Sequence, residues 1–251
     1  MTTGKVAIVS GASLGIGAGL VAEYRRRGWA VVASAHMIEP SRDPDLLTVA
    51  GDIAEPAAAS RIVEAALARF GRIDTLVNSV GVSISKPFTD YTAADYGPVV
   101  GACLTGFFCL THSAIAEMAT RYGGHVVTVS VTSVEAPDYG MPADYGTPKV
   151  SGTPAVLAAL ARGGLAAATR SLASEYAPHG IRVNAVFPGV IQAPVHPVGR
   201  YDAPYDWLSR LAGADQVSNI VDGVLFLESS PRITGEILHI DNGQGPEDGR
   251  I

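Results

Sequence analysis

Near the amino terminus four apolar residues, Val6–Val9, run straight into Ser10-Gly11-Ala12-Ser13-Leu14-Gly15-Ile16-Gly17, and a helical pattern follows over Gly15–Arg27. A strand, a glycine-rich turn and a helix in that order form the opening half of a βαβ unit. Gly11 permits the tight turn. Gly15 and Gly17 let a pyrophosphate approach the backbone and let the helix pack closely on the strand. The start of the helix offers unpaired N–H groups and a partial positive charge to an anion. The turn therefore predicts a dinucleotide site built from Gly11, Ser13, Gly15, Ile16 and Gly17. A tight βα turn without a ligand would use the same glycines.

The rest of the chain repeats the alternation of strand and helix. Short β-branched runs are predicted as strands at Val6–Val9, Ala30–Ser34, Leu46–Val49, Thr75–Asn78, His125–Ser130, Arg182–Phe187 and Glu236–Ile240. Helical patterns occupy Gly15–Arg27, Pro56–Phe70, Ala93–Thr120, Pro154–Tyr176 and Asn219–Leu227. Strands that read as near-continuous apolar runs belong to parallel sheets buried on both faces. The expected fold is α/β: a Rossmann-like, doubly wound parallel sheet of about seven strands with helices on both faces. No repeat or linker divides residues 1–251, which are expected to form a single dinucleotide-binding domain. Thr92 and Asp95 make a capping box for the third helix, and Gly97 and Pro98 inside it predict a kink or a delayed start. Two long loops, Ser133–Thr153 and Gln192–Ala214, follow strands at their carboxyl ends, where open α/β sheets bind ligands.

Charge narrows the partners. The formal net charge is −6 and no Lys/Arg run longer than Arg25–Arg27 occurs, so nucleic acid and anionic membrane are poor partners. No uninterrupted apolar run reaches the roughly 18 residues of a bilayer span. The opening MTTGKVAIVSGAS lacks a secretory pattern, and Cys103 and Cys109 lie in an apolar stretch suited to reduced thiols, which together point to the cytoplasm. His112, His125 and His196 show no metal-ligand spacing. At the end of the second strand stands Ser34-Ala35-His36, with no acid to meet a ribose 2′-hydroxyl. The cofactor is thus NADP or NAD, and His36 tilts the choice toward NADP.

Further stretches are similar to the short-chain dehydrogenase/reductase superfamily. Gly51-Asp52-Ile53 resembles its adenine-contacting segment, Asn78-Ser79-Val80-Gly81 its Asn-Asn-Ala-Gly segment, and Gly180-Ile181-Arg182-Val183-Asn184-Ala185-Val186-Phe187-Pro188-Gly189 its Gly-Ile-Arg-Val-Asn-x-Val-x-Pro-Gly segment. Thr234-Gly235-Glu236 and Asp241-Asn242-Gly243 resemble its carboxyl-terminal segments. The resemblance spans nearly the whole chain. It implies a homo-oligomeric, NAD(P)-dependent alcohol/carbonyl oxidoreductase whose cofactor also touches Asp52, Ile53, Asn78, Gly81, Pro188 and Gly189. Small residues on the third and fourth helices suit a dimer or tetramer.

The catalytic positions depart from the family pattern of Asn, Ser and Tyr-x-x-x-Lys. A Tyr-x-x-x-Lys exists at Tyr145–Lys149, but Tyr145 lies 36 residues before Ile181, where the family spacing is about 23. The family spacing lands on Ala158, with Arg162 at the lysine place. Thr153 and Pro154 start a helix there, leaving Tyr145 and Lys149 in the preceding loop. Cys103 takes the asparagine place, Ala193 a threonine place, and Ser133 best fits the serine, with Thr132 close behind. The candidate catalytic residues are Ser133, Tyr145, Lys149 and Arg162. A phenol with a reference pKa near 10 needs a nearby cation to work at neutral pH, and Lys149 or Arg162 would supply it. Arg162 stays charged and suits ribose hydroxyls or an anionic substrate group better than proton exchange. Loop acids Glu135, Asp138 and Asp144 are further general-base candidates, and Tyr201, Tyr205 and Trp207 suggest a mostly apolar organic substrate. Two readings follow: redox chemistry with Tyr145 swung in from the loop, or a fold reused for dehydration, cyclisation or binding alone.

Overall fold

The structure, a computed structural model, describes residues 4–79, 81, 84, 86–130, 156–189 and 217–241. Seven strands, β1 (Val6–Ser10), β2 (Ala30–Ala35), β3 (Leu46–Ala50), β4 (Thr75–Asn78), β5 (Gly124–Val129), β6 (Ile181–Pro188) and β7 (Ile237–Ile240), pair in the order β3-β2-β1-β4-β5-β6-β7. Every pairing is parallel. The order reverses direction between β1 and β4, which is the topological switch point of a doubly wound sheet.

The period of two along each strand divides the core between two faces. From β1, Val6 and Ile8 join Val32, Leu76 and Val126 beneath α2 (Pro56–Phe70) and α4 (Gly106–Ala119). Ala7 and Val9 join Val31, Val77 and Val127 on the opposite face, beneath α1 (Gly15–Arg26) and α6 (Val217–Ser229). Each fully buried Leu or Ile contributes roughly 1.5–3 kcal/mol. Covering both faces is what makes these apolar strands tolerable in water.

The third helical stretch is broken in three. α3 (Ala93–Val100) starts where the capping box places it: the Thr92 N–H and hydroxyl both donate to Asp95 Oδ2 at 2.7 Å. Lys86, 2.6 Å from the same carboxylate, together with Thr92 holds the Asp95 pKa down at about 2. Pro98 sits within α3, so the start is not delayed. The irregularity comes directly afterwards as a π turn, Gly101–Thr105, in which the Gly106 N–H reaches back to the Gly101 carbonyl. Within the 27 residues Ala93–Ala119 an 18-residue window reaches a mean hydropathy of 1.7, so the stretch is long and apolar enough by those measures to cross a bilayer. Counting uninterrupted apolar runs overlooked this stretch. Its apolarity has a structural use: Leu110, Ala114, Ile115 and Met118 bury against the sheet. α5 (Val156–Tyr176) covers β6, with Ala166 packed on Ala185, Phe187 and Ile237. Both long loops expected from the sequence lie outside the described residues.

The Gly-Ile-Arg-Val-Asn segment joins helix to sheet. Gly180 turns the chain with φ +70°, where an added Cβ would stand 2.8 Å from the Tyr122 carbonyl oxygen. Arg182 then reaches across to the end of α6, donating to the carbonyls of Leu227, Glu228 and Ile233 at 2.8–3.2 Å. Leu227 and Glu228 belong to the last turn of α6, whose carbonyls lack the usual i+4 helical partners, and Ile233 lies in the turn just beyond. Arg182→Met keeps most of the volume but removes all three donors. It is expected to destabilise the fold by about 2–4 kcal/mol, with a fall of several degrees in Tm measured by calorimetry.

Candidate functional site

The glycine turn is anchored on both sides. The Ala12 N–H donates to the Ser34 carbonyl at 2.9 Å, tying the turn to the end of β2. Ser10 Oγ accepts from the Ser79 N–H at 3.1 Å and lies 3.4 Å from the Val77 carbonyl, tying it to the end of β4. Gly11 and Gly15 adopt φ +64° and +54°, a region that other residues avoid. Gly17 needs glycine for a different reason. A Cβ there would lie 2.1 Å from the Gly11 carbonyl oxygen, so α1 meets the turn backbone against backbone. The sequence reading gave Gly17 to ligand approach and helix packing alike; its geometry expresses the packing role. Leu14 caps α1 without a side-chain hydrogen bond, and no acid stands in the first turn. The helix thus presents its amino-terminal N–H groups and positive end uncapped by its own side chains.

The remaining predicted cofactor residues gather at the same edge, on the carboxyl ends of neighbouring strands. Ser13 and His36 are exposed beyond β1 and β2, while Ile16 is half-buried on the core. Asp52 is exposed beyond β3, and its Oδ1 accepts from the Ala54 N–H at 2.9 Å at the entry to α2. Ile53 is buried and fills the space left by Gly106, where a Cβ would meet its side chain at 2.6 Å. Asn78, the last residue of β4, is buried with Nδ2 donating to Thr111 Oγ1 at 2.9 Å, while Oδ1 has no hydrogen-bond partner among the described residues. Gly81 is exposed just past it. Pro188 and Gly189 are buried at the end of β6, and the Gly189 N–H donates to the Ile240 carbonyl at 2.8 Å. The residues present fit a dinucleotide: an open helix start, a glycine turn with positive φ at Gly11 and Gly15, and an orphaned buried amide oxygen at one edge.

Of the four catalytic candidates, Ser133, Tyr145 and Lys149 lie outside the described residues, as do Glu135, Asp138, Asp144 and Ala193. Arg162 is described. It is half-buried on α5, with its guanidinium carbon 4.6 Å from the centroid of the Phe187 ring. Phe187 also meets His239 of β7 edge-on at 5.6 Å. Arg162 therefore stands over the end of β6, one residue short of Pro188. Ala158, one turn earlier, is fully buried. Cys103, in the π turn, is buried with Val99, Leu157 and Ala161 in a small apolar cluster. No group of His, Cys, Asp or Glu able to hold a metal occurs among the described residues. Sequence reasoning missed the Phe187 partner of Arg162, because only the packing of α5 on β6 brings them together.

Comparison with known proteins agrees with this arrangement. The family profile described as enoyl-(acyl carrier protein) reductase matches residues 11–244. A protein of Streptomyces violaceoruber that carries the name of granaticin polyketide synthase ketoacyl reductase 2 is 32% identical, covering 95% of each chain. Oxidoreductase UcpA of Escherichia coli is 30% identical over 96% of this chain and 94% of its own. Among solved structures, ElxO with NADP bound superposes with a TM-score of 0.82 at 22% identity, over 96% of this chain and 99% of ElxO. The glycine turn, the parallel seven-stranded sheet and these matches along almost the entire chain agree: the protein belongs to the short-chain dehydrogenase/reductase superfamily of oxidoreductases.

Proposed function

We propose that the protein is an NAD(P)(H)-dependent oxidoreductase acting on the carbonyl or alcohol of a small, mostly apolar organic molecule. The observation that carries this reading is the carboxyl-edge cradle: the Gly11–Gly17 turn, the uncapped start of α1 and the Asn78, Pro188 and Gly189 backbone and side chains on the flanking strands. When bound, the nicotinamide supplies the hydride for carbonyl reduction. The chain's own task is to hold the dinucleotide, orient the substrate and deliver a proton. Gly11, Ser13, Gly15, Ile16 and Gly17 would seat the pyrophosphate, Asp52 and Ile53 the adenine, and Asn78, Gly81, Pro188 and Gly189 the nicotinamide half. His36, without a neighbouring acid in Ser34-Ala35-His36, favours the 2′-phosphate of NADP. The carrier-protein and ketoacyl names of the relatives favour a ketone among possible substrates.

In this reading Tyr145 donates the proton from the loop, Ser133 holds the substrate oxygen, and Lys149 or Arg162 lowers the phenol's pKa. Arg162 over the Phe187 ring is placed to bind ribose hydroxyls or an anionic group. The buried Ala158 and Cys103 favour a second reading, in which the fold binds a nucleotide or organic ligand and performs dehydration, cyclisation or no chemistry. Fold alone does not choose between them.

Calorimetric titration with NADPH and NADH should show binding of at least one below millimolar concentration, with NADPH the tighter. Absence of both would end the proposal. Gly17→Ala, which places a methyl against the Gly11 carbonyl, should abolish that binding.

Tyr145→Phe should lower turnover by about 10²–10⁴-fold with cofactor affinity nearly unchanged. Arg162→Ala should instead weaken cofactor or substrate binding. Full activity in the Tyr145→Phe variant would favour the non-redox reading.

We also propose a homo-oligomer, dimer or tetramer. α4 and α5 expose Phe108 and Leu160, and Gly163 leaves the α5 surface open to close approach. Light scattering at micromolar concentration should give a mass of at least two chains, and a monomer would refute the assembly.

A further inference from the structure

A closed group of polar side chains lies toward the amino-terminal edge of the sheet, away from the glycine turn. His125, the second residue of β5, is 2% exposed. Its Nδ1 stands 2.8 Å from Glu228 Oε2 on α6, and its Nε2 stands 3.1 Å from Asn184 Nδ2 on β6. The backbone fixes which way Asn184 faces. Its Oδ1 accepts from the Glu236 N–H at 3.0 Å, and its Nδ2 donates to the Ile233 carbonyl at 3.0 Å. A carbonyl cannot donate and an N–H cannot accept, so the amide nitrogen is the atom turned toward His125. Nε2 must then be the bare, accepting nitrogen, and Nδ1 carries the proton donated to Glu228.

The charged groups around this imidazole come from several elements. Glu228 also accepts from Thr75 Oγ1 at 2.7 Å and faces Lys5 Nζ at 4.0 Å. Arg182 spends its donors on the carbonyls at the end of α6. Tyr24 of α1, with its hydroxyl buried, feels the charges of Glu228 and Arg182. The Asp74 carbonyl accepts the His125 N–H, and its carboxylate is turned to the Val6 N–H and Arg72. Burial, joined by the Arg182 and Lys5 charges, holds the imidazole pKa below its ordinary value against the pull of Glu228. Hydrogen bonds from His125 and Thr75, with the Lys5 charge, keep the Glu228 carboxylate ionised despite its burial.

We propose that His125 and Asn184 form an acid-sensitive latch that ties the β6–β7 edge to the central sheet, closed while His125 is neutral and opened when it takes a second proton. A proton on Nε2 sets two donors face to face across the present 3.1 Å. Asn184 cannot turn round without losing both the Ile233 and the Glu236 bonds. Those bonds hold the turn that leads into β7, so the relief is to release that turn. β7 ends at Ile240, whose carbonyl accepts the Gly189 N–H. The disturbance therefore reaches the end of β6, and its effect on cofactor binding rests on the proposed function above.

The sign follows from linkage. The opened histidine takes a proton near its ordinary pKa of about 6.5, whereas the latched one resists. As pH falls below that value the open form gains protons the closed form lacks. The opening constant rises by up to about tenfold per pH unit, until the latched pKa is reached. Above about pH 7 the latch is closed and insensitive to pH.

The test combines long-range 1H–15N spectroscopy of the imidazole with amide exchange on the full chain. At pH 7.5 the ring should show a protonated Nδ1 and a bare Nε2. Exchange of the Glu236 amide, corrected for its intrinsic pH dependence, should accelerate about tenfold per pH unit below about 6.5. His125→Gln, which sets a neutral oxygen near the Nε2 place, should remove that acceleration, and Asn184→Ala should give fast exchange at both pH values. NADPH affinity should weaken in acid in the unaltered protein and not in His125→Gln. A chain that binds no cofactor at any pH would refute the cofactor reading while the exchange data still decide the latch. A proton on Nε2 at pH 7.5, or equal Glu236 protection at pH 5.5 and 7.5, overturns it, and both measurements need only the unaltered protein.

Discussion

A parallel sheet must be covered on both faces, and that requirement organises this molecule. Antiparallel strands can leave one face to water, but strands joined by helical crossovers cannot. Hence β1 sends Val6 and Ile8 to one helical layer and Ala7 and Val9 to the other, and all four are fully buried. The same connectivity sends every described strand in one direction, so all the carboxyl ends meet at one edge. Residues as distant in sequence as Gly11, Asn78 and Gly189 therefore come to lie along one edge of the sheet, where open α/β sheets bind ligands.

The two edges of the sheet are finished differently. At the carboxyl edge the backbone is brought close and left accessible: positive φ at Gly11 and Gly15, no side chain at Gly17, no cap on α1. Toward the amino edge polar groups are closed upon one another, with Arg182 on the last carbonyls of α6 and His125, Asn184, Glu228 and Thr75 sharing their protons. An open edge can receive a ligand, while a closed one holds the strands in register. The Gly180–Gly189 stretch belongs to both, since its first residues fasten the sheet and its final Pro188-Gly189 reaches the carboxyl edge.

Two residues of α5 are placed differently by the packing of that helix on the sheet. Ala158 and Arg162 stand one turn apart, and the alanine is buried while the arginine lies over Phe187. A guanidinium over an aromatic face gains roughly 0.5–2 kcal/mol, so Phe187 gives the charge a fixed position. Arg162 remains charged at any working pH and can bind but not exchange protons. Whatever proton transfer occurs must use another group, which is why the tyrosine of the preceding loop matters to the proposed chemistry.

Local patterns were enough to read much of this protein. The glycine turn, the capping box of Thr92 and Asp95, and the apolar strands were legible because turn chemistry and period-two burial act over a few residues. The predicted Thr75–Asn78 and Pro56–Phe70 match the observed β4 and α2, and the other strand and helix ends within the described residues shift by only one or two positions. That Ala158 and Arg162 lie on a helix also followed from the local pattern. What the sequence could not give was any relation that crosses strands. His125, Asn184 and Glu228 lie 59 and 103 residues from their partners, and nothing in their local surroundings marks them. Only the register of β5 on β6, and the docking of α6 across them, brings those three side chains together. Likewise, Pro98 announced an irregular helix, but the π turn at Gly101–Thr105 was settled by how α4 packs on Ile53 and the sheet. Sequence fixes what each segment can be within one or two turns of chain, because dihedral preferences and side-chain periodicity are local. Which buried donor meets which acceptor is decided by packing, because those distances exist only once the sheet has closed.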